Sequence, residues 1–461
     1  MREFANSIVS TLREHGHQAY LVGGCVRDLL LGREPVDYDV ASDAKPDEVM
    51  HIFPETYAVG AQFGVVLVPT PEADPPKQNE NCSTDMAGEE FALGHHHKSC
   101  VEVATFRSDL GYSDGRHPDE VRFSSDPRED VQRRDFTING LLLDPVEDKV
   151  LDFVGGQEDL KSKTIRAIGD PAVRFAEDKL RTLRAVRFAA RFEYTIDPAT
   201  FSSIQQLASQ IHQVSRERVR DELTRMLTEG HARRAFELLD ETGLLREVLP
   251  EIAAMKGVEQ PPEFHPEGDV FVHTLLMLEK LPQPCPAGFA WGVLLHDVGK
   301  PPTFRRAPDR IRFDEHARVG TKMAEAICRR LRFSGDETKQ VVALVEHHMR
   351  FGDALRMKES TLKRFLRLPK FDEHLELHRL DCLSSHRDLS LYEFSRDKLQ
   401  SLQPEQIRPQ LLINGDDLIQ AGYQPGPQFK EWLTAVEDAQ LEGAIESRGE
   451  AISLIRDTFP L

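Results

Sequence analysis

The chain has 461 residues, 40% of them hydrophobic and 29% charged, with six cysteines and a net charge of −19. A chain of that length can bury an ample core and is expected to divide into two to four domains of ordinary soluble type. The acidic total excludes indiscriminate nucleic-acid binding, no long apolar run is present to span a bilayer, and cysteines without a CxxC spacing exclude a disulfide scaffold or a zinc ribbon.

The opening MREFANSIVSTLREHGHQAY reads as an amphipathic helix without the basic-then-apolar layout of a signal peptide, so a reducing cytoplasm is the expected setting. Tyr20, Leu21 and Val22 end a buried strand, and Gly23-Gly24 lets the backbone approach a triphosphate with no Cβ in the way. Val26 to Leu31 then starts a helix, with Arg27 placed where an anion would sit. After a break at Gly32, Val36 to Val40 alternates as a strand, with Asp37 and Asp39 on one face and Val36, Tyr38 and Val40 on the other. Two carboxylates so close repel unless a cation lies between them, and a divalent metal is the simplest answer. Each half has a plainer reading, a turn for the glycines and a solvated face for the aspartates.

Together, LVGGCVRD and the DxD strand resemble the class II tRNA nucleotidyltransferase and bacterial poly(A) polymerase superfamily. The resemblance implies a polymerase-β-like head in which Asp37 and Asp39 hold Mg²⁺ while Gly23, Gly24 and Arg27 hold the triphosphate.

A helix is expected near Pro46 to Phe53 and a strand at Phe63 to Pro69. Pro71 to Lys98 reads as a flexible insertion whose His95-His96-His97 belongs to a solvated loop. The sheet resumes at Val101 to Arg107, where Glu102 either supplies a third carboxylate or faces solvent on an edge strand. The loop Gly111 to Pro118 resembles the DxRxP element of the CCA-adding branch more than the corresponding stretch of bacterial poly(A) polymerases. Arg133 to Leu141 matches the family's RRDFTxNA element, with Gly140 in place of alanine. That match implies that Arg134, Asp135 and Asn139 contact the ribose and steady the metal site.

From Leu160 onward the pattern is helical, with boundaries at Pro198, Gly243, Gln260 to Pro262 and Pro282 to Pro286. Lys161 to Ala235 holds 15 Lys and Arg against 9 Asp and Glu, a local cationic excess that suits a specific RNA site in an acidic chain. Within it, Leu180, Leu183, Val186 and Ala190 form an apolar stripe, and Asp178, Arg181 and Arg184 recur every three residues on another face. Cytosine and adenine both present an exocyclic amine beside a ring-nitrogen acceptor, so an Asp acceptor next to an Arg donor pairs with either. Uracil and guanine place a carbonyl there and are rejected. A structural ion pair on a core helix is the plainer alternative. Ser215 to Leu223 resembles the neck element that braces this helix in the family.

Farther on, His273, His296-Asp297, His316, His347 of the His347-His348 pair, and Asp381 follow the order of the HD phosphohydrolase superfamily, most specifically in LLHDVGK. Imidazoles with carboxylates suit a second divalent metal that activates water for phosphoester hydrolysis. Leu412 to Ile445 resembles the helical tail of the tRNA nucleotidyltransferases.

The expected fold is α+β: a mixed-sheet head at 1–155 with an insertion at 72–98, then an all-α neck and body at 156–250, an HD-type domain at 251–400 and a tail at 401–461. The expected activity is template-independent addition or repair of the 3′-terminal CCA of tRNA from CTP and ATP, with no membrane or DNA partner. An enzyme adding only the terminal A, a poly(A) polymerase, an HD-type hydrolase and a non-catalytic RNA-binding descendant are the alternatives.

Overall fold

The computed structural model describes residues 1–58, 64–71, 100–111, 120–263 and 265–460. The insertion at 72–98 with its three histidines, and the loop at 112–118, lie outside the described residues. The chain divides into two compact units, Met1–Pro250 and Glu251–Leu461.

Among the described residues up to Asp152, the first unit has the strands β1 (Ala19–Val22), β2 (Asp39–Ser42), β3 (Val65–Pro69), β4 (Cys100–Thr105), β5 (Arg107–Leu110), β6 (Glu120–Phe123), β7 (Leu141–Asp144) and β8 (Lys149–Asp152). Six form one sheet in the order β3-β4-β2-β1-β7-β8, in which β2 and β4 are parallel and the other pairs antiparallel. β7 is buried at every position, as a central strand must be, whereas β4 alternates buried Val101, Val103 and Thr105 with partly accessible Glu102 and Ala104. The leading helix Arg2–Glu14 buries Ala5, Ile8, Val9 and Leu12, the spacing of one helical face, and packs on β1 and β2.

Two expected strands change shape. The DxD strand begins only at Asp39, and Val36, assigned to the apolar face, is 75% exposed. The partner sets this limit: Asp39 pairs with Val22, the last residue of β1, and Gly23 then turns away at φ +77°, so residues 36–38 have no strand to pair with. The run Val101 to Arg107 is divided at Phe106, so that Arg107 starts β5, which pairs with β6 outside the main sheet.

Beyond β8 the unit becomes helical, notably at Pro171–Glu177, Leu180–Phe192 and Arg216–Thr228, apart from the short parallel pairing of Thr164–Ile165 with Thr195–Ile196. Leu180–Phe192 is buried on all sides, leaving only Arg191 partly accessible. Asp178 is not on that helix: it ends the preceding one in extended conformation, and its carboxylate accepts from the Leu180 amide at 3.0 Å. The expected periodic Asp-Arg-Arg face is therefore a helix start plus two helical arginines.

In the second unit, Ala287–Leu295 (AGFAWGVLL) is apolar all round and lies between neighbouring helices. Gly299 approaches the backbone of His316 and Gly320 so closely that a Cβ would collide. That contact sets the His296-Asp297 turn directly against helix His316–Arg330. The C-terminal helices Gly415–Gln420, Gln428–Leu441 and Arg448–Thr458 close over Ile413, Leu418, Tyr423, Val436 and Ile455.

Candidate active site and metal cluster

Asp37 and Asp39 are both partly accessible, flanking buried Tyr38. The parallel register of β2 and β4 sets Glu102 directly beside Asp39, so the alternative of a solvated edge-strand glutamate does not hold. Burial, reinforced by the Asp37 carboxylate and opposed by Arg134, pushes the Glu102 pKa up to about 7. Burial first, and then the Asp39 and Asp37 charges, push the Cys25 thiol up to about 12. An all-oxygen donor set with mutually repelling charge fits a hard cation such as Mg²⁺.

Gly23 brings the end of β1 against the RRD segment, and a Cβ on it would stand 3.2 Å from Arg134 Nη1. Arg134 is held by Asp130 Oδ2 at 3.0 Å, and Asp130 also accepts from Arg133 at 2.7 Å. Arg27 is only 1% exposed: it donates to Asn139 Oδ1 at 2.6 Å and to Asp28 at 2.9 Å, and lies over the Phe192 ring at 4.7 Å. The structure places it as a brace between helix Gly24–Leu30 and the Asn139 turn, where its position at the helix start had suggested an anion contact.

The network continues inward. Asn139 Nδ2 donates to Asp135 Oδ1 at 3.0 Å, and Asp135 Oδ2 accepts from Arg184 at 2.9 and 3.1 Å. Arg184 lies 3.9 Å from Glu222, which accepts from Arg187 at 2.7 Å. Burial acts to raise the Asp135 pKa, but Arg184 and the Asn139 amide outweigh it and hold the group below the usual carboxylate range. Glu222 follows the same pattern, with Arg187 and Arg184 overcoming burial.

Asp178 is 1% exposed, and both its oxygens accept from Arg218, at 2.7 and 3.3 Å. Arg181 donates to Glu177 at 2.9 Å and to the Arg133 carbonyl at 3.0 Å. Asp178, Arg181 and Arg184 thus all have protein partners, and Arg218, which lies in the neck segment read only as a brace, is the direct partner of the candidate base-reading carboxylate.

The second unit brings His273, His296, Asp297, His316 and Asp381 together as the sequence suggested, but its sixth member is His348, not His347. Consecutive helical residues point about 100° apart, so only one of the pair can face the cluster; His347 turns instead toward His374, ring centroids 5.9 Å apart. His265 and Glu267 extend the group: Glu267 accepts from His273 Nδ1 at 2.6 Å and from His265 at 2.9 Å. They precede helix Val270–Glu279 in a stretch of sequence with no periodicity to single them out. Burial pushes His348 down to about 3, whereas at His273 burial is outweighed by Asp381 and Glu267, which carry it up to about 9.

A glycine turn opposed to a carboxylate-bearing strand pair, with a helical extension bonded into its floor, is the architecture of a nucleotidyltransferase, and residues 19–166 match the family described as Poly A polymerase head domain. Residues 193–256 match the family described as Probable RNA and SrmB- binding site of polymerase A, and 316–455 match the family described as tRNA nucleotidyltransferase domain 2. The chain is 32% identical over 454 residues to the CCA-adding enzyme of Geobacillus sp. (strain WCH70), covering 97% of this chain and 95% of that protein, and it belongs to the CCA-adding enzyme family. It is 37% identical to the CCA-adding enzyme of Bacillus pumilus over 241 residues, 52% of this chain and 54% of that one. The crystal structure of the Bacillus stearothermophilus CCA-adding enzyme in complex with CTP superposes with a TM-score of 0.69 at 26% identity, over 99% of this chain and 97% of that one. The Thermotoga maritima CCA-adding enzyme complexed with tRNA shares the fold, with a TM-score of 0.57 at 18% identity over 99% and 95% of the two chains.

Proposed function

We propose that this nucleotidyltransferase builds or repairs the 3′-terminal CCA of tRNA from CTP and ATP, in the cytoplasm and without a membrane or DNA partner. The observation that carries the assignment is the placement of Glu102 beside Asp39, with Asp37 close enough to raise its pKa, on strands adjoining the Gly23 turn. Asp37, Asp39 and Glu102 hold the catalytic cations; when bound, Mg²⁺ supplies acidification of the primer 3′-hydroxyl and neutralisation of the leaving pyrophosphate. Gly23 and Gly24 admit the triphosphate to the backbone, and Arg27, Arg134, Asp135 and Asn139 fix the turn that faces it. Asp178 and Arg181 select the base, for which Asp178 exchanges an Arg218 contact and Arg181 a Glu177 contact for the base edge, while Arg184 anchors the helix that carries Arg181 to Asp135. The domains are a head at 1–155, neck and body at 156–250, an HD-type domain at 251–400 and a tail at 401–461.

The test is incorporation of labelled CTP and ATP, separately and together with Mg²⁺, into tRNA transcripts ending before CCA, after C, or after CC. Addition of all three nucleotides followed by a stop is expected. ATP-only addition after CC would make the chain an A-adding enzyme, and long A tails a poly(A) polymerase.

The buried histidine–aspartate cluster favours a second activity, metal-dependent phosphoester hydrolysis in an HD-type domain. Water adds across the P–O bond: its oxygen joins phosphorus and the ester oxygen departs with a proton. Phosphate release that survives Asp37→Ala and disappears in His296→Ala is the expected result; release unaffected by His296→Ala would overturn this reading.

A further inference from the structure

Asp130, in helix Pro127–Gln132, is fully buried, and its carboxylate is divided between two arginines. Oδ1 accepts from Nε and Nη2 of Arg133 at 3.0 and 2.7 Å, and Oδ2 accepts from Nε and Nη2 of Arg134 at 3.3 and 3.0 Å. Each oxygen thus meets the same two-pronged edge of a different guanidinium. A guanidinium is planar and rigid, so fixing that edge also fixes where its third nitrogen points. Burial acts to raise the Asp130 pKa, but the two arginines outweigh it, and the group is ionised at neutral pH.

The third nitrogen of Arg134 points at the Gly23 turn. A Cβ on Gly23 would stand 3.2 Å from Arg134 Nη1, and this nitrogen has no hydrogen-bond partner among the described residues. Arg134 is also the cation that acts most strongly on Glu102, so the same guanidinium stands close to the catalytic carboxylates. A donor fixed between a glycine turn and a metal-binding set of carboxylates suits an oxygen of a polyphosphate.

The backbone of the same turn reaches the base-reading end of the site. The Gln132 carbonyl accepts from Arg174 Nη1 at 3.1 Å, and the Arg133 carbonyl accepts from Arg181 Nη2 at 3.0 Å. Arg181 donates to Glu177 through Nη1, so its hold on the Arg133 carbonyl persists when Nη1 turns to a base. Resting on the reading of the Gly23 turn as the entry for the triphosphate, we propose that Asp130 is a positioning residue for nucleotide binding. One of its oxygens aims Arg134 at the phosphates; the other fixes Arg133, whose carbonyl holds Arg181 at the base.

Asp130→Asn keeps the shape of the side chain but turns an amide donor toward one of the two guanidiniums. The experiment measures incorporation of CTP into a tRNA transcript ending before CCA and of ATP into one ending after CC, at fixed free Mg²⁺, with inorganic triphosphate as competitor. All variants are full-length, and circular dichroism at the assay temperature checks their folding. In Asp130→Asn, the KM for both nucleotides and the inhibition constant of inorganic triphosphate are expected to rise together by about tenfold, with a much smaller change in kcat. Arg134→Ala should show the same rise, and Asp130→Asn/Arg134→Ala should rise no further, because the aspartate acts on the phosphates through that arginine. Preference for CTP over UTP should fall in Asp130→Asn and hold in Arg134→Ala. Asp130→Glu, which keeps the charge and adds a methylene, should recover part of both losses; if Asp130→Asn does not fold, the same comparisons are made with Asp130→Glu.

A lower kcat with KM and the inhibition constant unchanged would overturn the positioning role and leave Asp130 to stability. Additive losses in the double variant would overturn its action through Arg134, and an unchanged CTP-to-UTP ratio its action through Arg133. Wild-type enzyme indifferent to inorganic triphosphate would overturn the reading of the Gly23 turn, and the proposal with it.

Discussion

Asp135 Oδ2 accepts two hydrogen bonds from the Arg184 guanidinium, at 2.9 and 3.1 Å, and through this buried pair the turn that packs on helix Gly24–Leu30 is joined to helix Leu180–Phe192. Asp135 is 2% exposed and Arg184 3%, so neither has water to fall back on. Asp28, Arg27 and Asn139 extend the chain of contacts on one side, Glu222 and Arg187 on the other.

Removing one partner leaves an uncompensated buried charge. Arg184→Ala is expected to destabilise the first unit by about 3–5 kcal/mol, read as a lower urea midpoint, and to reduce CTP and ATP incorporation together. A loss under about 1 kcal/mol, the level of an exposed pair, would show that Asp135 is not held as described.

Asp37→Ala removes a carboxylate that is partly accessible and outside any strand. Incorporation should fall to background with the melting temperature essentially unchanged; near-normal incorporation would remove Asp37 from the mechanism.

Arg218 holds both oxygens of Asp178. Arg218→Ala should free the carboxylate to rotate and lower discrimination of CTP and ATP against UTP and GTP on the order of tenfold, about 1.4 kcal/mol. Arg218→Lys, which keeps one donor, should recover part of it. Single-nucleotide incorporation with each of the four triphosphates gives the ratio, and an unchanged ratio in both variants would assign Arg218 to stability alone.

Acid should destabilise the first unit through its buried carboxylates. Asp130, Asp135 and Glu222 are held below their ordinary pKa values by arginines that outweigh burial. Between the unfolded and folded values the unfolded chain binds more protons, so the stability these groups contribute is full above about pH 4.5 and is lost as pH falls through the folded values. Glu102 has the opposite sign: raised to about 7, it favours the folded state below its unfolded pKa, and that contribution declines as pH rises through 7. In metal-free protein, urea midpoints measured from pH 3 to 8 should show both slopes, and Glu102→Gln should flatten the one on the neutral side alone.

Local chemistry explains what could be read from the chain. The Gly23 turn needs a positive φ, the leading helix repeats its apolar residues on one face, and the strand core at Val101 and Val103 alternates with a period of two. Such signals lie within a few residues of the element they specify, and the resemblance carried by LVGGCVRD, DYD and RRDFTING reached the family for the same reason. Only the tertiary structure decided which partners met. It started β2 only at Asp39, because β1 stops at Val22 and leaves residues 36–38 without a strand partner. It turned His348 rather than His347 into the cluster, because two neighbours on a helix cannot face the same point. It joined Asp178 to Arg218 and Asp135 to Arg184 across 40 and 49 residues. Contacts of that sequence separation depend on how helices and sheet pack, and no local pattern of residues encodes them.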